Sequence, residues 1–221
     1  MSSFKMKLTQ IKPHIYYLLF DTQYELCSTM LRIEEFYESP YKNIKGKYFT
    51  LETYMDTYAK DTGNFTYYSD WNGYNIPSDS INEFWKTFNN YPVEPLLNSL
   101  LEKEKKLYDI LTGISDPKYY LIATHKKVVK SALNHELAHA YYYLDPDYKK
   151  AMDDLIGGFK HRKAMETKLL KMGYGKSVLS DEIQAYLSTT KRYDIDSKIM
   201  NRDWKIPEEF RKIFRERDKK D

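Results

Sequence analysis

A single cysteine, Cys27, stands in this chain of 221 residues. That scarcity excludes an internal disulfide and any zinc finger built on clustered cysteines. Cys27 lies among Leu26, Met30, Leu31 and Ile33 and reads as a small core hydrophobe. Long apolar runs are also missing. The longest, around residues 15–20, is far short of a membrane span, and the first residues lack the uninterrupted apolar stretch of a signal peptide. The chain is therefore expected to be cytoplasmic, without a membrane partner. A formal net charge of +3 is too mild to draw nucleic acid by itself and argues against such a partner. No internal repeat, low-complexity stretch or clear linker is present.

What remains is a globular composition, 42% hydrophobic, long enough for one domain with two lobes. The patterning predicts an N-terminal α/β lobe over residues 1–117. A mainly helical lobe, with the strand that leads into it, is expected over 118–221. Strands are expected at 14–20, 45–50, 64–68 and 119–124, where β-branched and aromatic residues concentrate. Residues 71–77, with their Asn-Gly and a proline, read as turn chemistry. Helices are expected at 23–37, 51–58, from Ser78 or Ser80 to 88, at 96–111, and from about His125 onward. Further helices follow at 147–159, 163–172, 181–189 and 208–217. The basic run of Lys160, Arg162, Lys163, Lys168, Lys171 and Lys176 reads as a solvated face. The mixed-charge tail at 211–221 reads as a frayed surface helix.

One segment specifies a chemistry by spacing alone: His135-Glu136-Leu137-Ala138-His139. Four residues apart on a helix, His135 and His139 share a face and can reach one metal ion. Glu136 lies about 100° further round, where it can deprotonate a water held by the ion without becoming a ligand. The surrounding residues 128–140 are apolar nearly all round, so the helix is expected to be buried. Buried unpartnered polar groups cost about 1–3 kcal/mol each, and coordination would satisfy them.

A catalytic zinc keeps three protein ligands and an open position. Two residues can supply the third. Glu182 opens the segment Asp181-Glu182-Ile183-Gln184-Ala185-Tyr186, with small Ala185 allowing close approach to the metal helix. Asp145 stands six residues after His139, but it precedes Pro146, the arrangement of a helix cap. Asp181 either orients a ligand or caps its own helix, and the cap is the reading adopted. Among the remaining candidates, His125 is read as structural, His14 and His161 as structural or solvated, and Tyr142, Tyr186 and Tyr193 as possible oxyanion donors.

Together these motifs resemble those of gluzincins, zinc peptidases of the zincin fold whose third ligand is a glutamate on a separate downstream helix. The resemblance spans residues 119–187. It implies an α+β zincin-like domain in which the strand before the metal helix rims a substrate cleft. It further implies one Zn2+ per chain bound by His135, His139 and Glu182, with Glu136 as general base. Four residues after the glutamate, thermolysin-like members carry an aspartate that orients a ligand histidine. Here Tyr186 stands there, as a substitute support or a transition-state donor. The expected activity is hydrolysis of a peptide or protein substrate. A catalytically silent zinc-binding protein of this fold and a basic nucleic-acid-binding module are the rival readings, and the oligomeric state is open.

Overall fold

β1 (Met6–Lys12) turns through Pro13 and His14, whose φ of 61° closes the hairpin, into β2 (Ile15–Phe20). The structure, a computed structural model, describes residues 5–89, 100–127, 130–172, 174–190 and 204–220. The chain divides into two compact units, Met1–Val128 and Val129–Asp221.

In the first unit, α1 (Gln23–Glu38) starts at a reciprocal cap. Thr22 Oγ1 accepts from the Glu25 amide, and the Glu25 carboxylate accepts from the Thr22 amide. The helix buries Leu26, Cys27, Met30, Leu31, Ile33 and Phe36. Cys27 is the core residue expected; its thiol donates to the Trp71 carbonyl, and burial pushes its pKa up. α2 (Leu51–Thr62) ends at Gly63, whose φ of 90° suits glycine. α3 (Tyr67–Asp70), β3 (Gly73–Pro77), α4 (Ser78–Asn89), α5 (Glu102–Leu111) and β4 (Tyr120–His125) follow.

The strands form one mixed sheet in the order β1–β2–β4–β3. β2 and β4 are parallel, and the two outer pairs are antiparallel. β4 lies inside the sheet and every residue of it is buried. Leu18, Phe20, Tyr74, Ile76, Leu121 and Ala123 join the helical residues in one core. The strand that sequence patterning grouped with the C-terminal lobe is therefore a central strand of the first unit.

Three further expectations are corrected here. Residues 45–50 do not form a strand: Gly46, at φ 68°, turns the chain back so that its amide reaches the Phe36 carbonyl. Residues 64–68 do not form one either. Tyr67 and Tyr68 open α3, and Tyr67 is buried edge-on against Tyr54 and Tyr58. Their β-propensity reflects aromatic packing, here met by other rings. Conversely, the expected turn at 71–77 holds β3, because Tyr74 and Ile76 alternate into the core and Pro77 sits at the strand's end, where its missing amide costs nothing.

The second unit is helical: α6 (Lys130–Leu144), α7 (Pro146–Gly158), α8 (Arg162–Lys171), α9 (Leu179–Thr189) and α10 (Glu208–Asp218). α6 begins after the expected His125, because that residue still pairs with Phe20 at the end of the sheet. α9 packs against each of the other four helices. The expected frayed tail is instead a docked helix. Phe210 and Phe214 of α10 are buried one turn apart, while Glu208, Arg211 and Arg215 pair on its outer side. No helix among the described residues is long and apolar enough to cross a membrane.

The first unit also buries an ion pair. Arg32 of α1 and Glu104 of α5 are 3% and 1% exposed, and their two-pronged contact includes Nε to Oε1 at 2.7 Å. Arg32 donates further to the Phe49 carbonyl. Removing one partner leaves a buried charge, so Glu104→Ala should cost about 3–5 kcal/mol. The double change Arg32→Met, Glu104→Leu should cost much less. Urea titration of both variants checks this, and equal losses would show that the pair's charge is not what matters.

Candidate metal centre

α6 presents His135 and His139 from successive turns, and the first turn of α9 brings Glu182 to them. Both helices bury small residues, Ala138 and Ala140 on one and Ala185 on the other, which permits close packing. His135 Nε2 and His139 Nε2 lie 3.2 Å apart. Glu182 offers Oε2 at 3.9 Å from the first and Oε1 at 3.7 Å from the second. Ligand atoms tetrahedrally arranged about a zinc ion at 2.0–2.1 Å are separated by about 3.3 Å. The two imidazole nitrogens are near that spacing, and one candidate ligand atom from each of the three side chains lies within 4.8 Å of the others. They form a group that can hold a metal ion.

The electrostatics follow from burial and proximity. Burial and the neighbouring charge on His139 hold His135 well below the usual histidine range. Burial alone would push His139 the same way. The carboxylate of Asp181, 2.8 Å from its Nδ1, outweighs that with help from Glu182 and Glu136 and raises it to about 10. Nδ1–H thus donates to Asp181, and Nε2 is the atom turned toward His135 and Glu182.

At Asp181 the structure favours the first of the two readings, orientation of a histidine, over the cap. α9 begins two residues earlier at Leu179, with no side-chain cap. The Asp181 carboxylate instead orients a prospective ligand, the arrangement that fixes tautomer and ring angle in histidine–metal sites. The support sought four residues after Glu182 comes from the residue immediately before it. Tyr186 lies with its ring 4.6 Å from that of His135. Glu136 is partly buried on α6, and its charge acts on His139.

The other candidates are placed elsewhere. Asp145 caps α7, accepting from the amides of Asp147 and Tyr148, and also accepts from Arg217. Tyr142 donates to Asp153 at 2.6 Å and lies beneath Lys149, so it is committed as a packing residue. His125 contacts Asn72 at the end of β4, His14 sits beside Asp116, and His161 stacks on Trp204. Tyr193 lies outside the described residues. Of the basic run, Arg162 pairs with Glu166 and Lys168 lies over Trp204, while Lys160, Lys163, Lys171 and Lys176 are exposed.

No protein-family model matches the chain, and neither curated proteins nor solved structures provide a match.

A cation entering this cluster must displace the proton from His139 Nε2. Since His139 holds that proton up to about pH 10, apparent zinc affinity should rise with pH. The expected slope is about tenfold per pH unit between roughly pH 6.5 and 8.5. Competition with a chromophoric chelator across that range measures it, and a flat profile would contradict the proton exchange.

Proposed function

We propose that this chain is a zinc-dependent peptidase of gluzincin type, with a zincin-like arrangement of its helices. The observation that carries the reading is the meeting of His135, His139 and Glu182 from two helices, with one candidate ligand atom of each within 4.8 Å of the others. Two imidazole nitrogens and one carboxylate in a buried setting favour zinc over magnesium or calcium, which take mostly oxygen ligands. One ion per chain is the corresponding stoichiometry.

When bound, zinc supplies a Lewis acid that polarises the scissile carbonyl and acidifies a water molecule. Glu136, beside His135 but outside the ligand trio, takes the proton of the attacking water and later gives it to the departing amine. Asp181 keeps His139 Nε2 turned toward the centre. Tyr186, against His135, is assigned as phenolic donor to the developing oxyanion. The substrate class is a peptide or protein.

His135→Ala should abolish stoichiometric zinc binding. Glu136→Gln should retain zinc while peptide-library turnover falls by about 10²–10⁴-fold. Tyr186→Phe should lower kcat by about 10²-fold, with zinc retained. Mass spectrometry under native conditions and a fluorogenic peptide library provide the readouts. Zinc-loaded protein that cleaves no peptide would favour the catalytically silent zinc-binding reading instead.

A further inference from the structure

Behind the prospective ligands, a line of buried polar groups runs where apolar side chains would fill the space without needing partners. Gln184 is fully buried and Tyr148 is 3% exposed. Tyr148 donates its hydroxyl to Gln184 Oε1 at 2.9 Å. Gln184 donates from Nε2 to Asp181 Oδ1 at 3.0 Å, the same oxygen that faces His139 Nδ1 at 2.8 Å. Every bond in this line has one workable direction. Reversing the amide would aim its oxygen at a carboxylate, so the acceptor-only acid selects the amide's orientation and the phenol, donating to Oε1, holds it there. Tyr148 is itself pinned: its backbone amide donates to Asp145, which also accepts from Arg217 of α10.

The geometry points to Gln184 and Tyr148 as positioning residues of the metal centre. They lock the Asp181 carboxylate in the one orientation that keeps His139 Nε2 turned toward the cation. This rests on the cluster being a metal centre, as proposed above. One helix turn of α9 would then carry a ligand, Glu182, its neighbour's support, Asp181, and the brace of that support, Gln184. Tyr148 ties the assembly to α7. Burying an amide and a phenol in a helical core is unfavourable unless both are fully bonded, and here the bonding converges on a single acid.

The test compares Gln184→Met and Tyr148→Phe with Tyr141→Phe. Tyr141 is another buried tyrosine, and its hydroxyl bonds Asp218 outside this line. Zinc affinity by chelator competition should fall about 10-fold in Gln184→Met and about 3–10-fold in Tyr148→Phe, and stay unchanged in Tyr141→Phe. A second readout uses the metal-free proteins. The hydrogen-bonded Nδ1–H proton of His139 should give a slowly exchanging NMR signal in the unaltered chain, lost or broadened in the first two variants only. Tyr148→Phe removes one oxygen and keeps the ring, so it guards against a Gln184 variant that fails to fold. Folded variants with unaltered affinity and an unaltered His139 signal would overturn the assignment. If the unaltered chain binds no zinc, the metal reading falls, and the His139 signal still decides whether the brace operates.

Discussion

The hydrogen bond between His139 and Asp181 is the constraint around which the second unit is arranged. An imidazole buried in a helical bundle is unstable as a cation unless an acid stands beside it, and a buried acid needs donors in turn. Each requirement is met by the next group outward. The same bond decides which nitrogen of His139 faces inward, and so separates a cluster able to coordinate from one that merely packs.

That arrangement depends on how α9 is held. It lies against the other four helices of its unit, and α10 buries Phe210 and Phe214, against Phe159 and Tyr141 respectively. Glu182 reaches α6 because its neighbours Ile183, Ala185 and Leu187 are fully buried, which fixes the rotation of the helix about its axis. A polar site made by two helices needs this apolar anchoring. Hydrogen bonds set direction, but burial supplies most of the free energy that keeps the helices together.

What could be read from the chain beforehand divides along the range of the physics involved. The trio His135, His139 and Glu182 was legible because the i, i+4 spacing is a property of any helix, and the downstream acid opens a recognisable helical segment. The role of Asp181 was only half legible: its sequence position allows a cap or a support for a ligand, and only tertiary packing, by setting it against His139, decides between them. β3 was masked by Gly73 and Pro77, which usually mark turns, although Tyr74 and Ile76 carried the period-two signal. The start of α6 was misplaced because His125 belongs to a parallel ladder whose partner, Phe20, is remote in sequence. In α10 the burial of Phe210 and Phe214 was available as an i, i+4 pair, but the density of charge around them drew the reading toward solvent.

The outer position of β1 has a consequence for how copies of this chain behave at high concentration. One side of that strand pairs with β2, and among the described residues no strand borders the other, a template on which a second molecule could extend the ladder. Lys5 and Lys7 are exposed at its leading end, so two such margins brought together would force ammonium groups into close apposition. Like-charge repulsion thus acts as a gatekeeper against self-templated aggregation, most effectively in dilute salt and less so where counter-ions screen it.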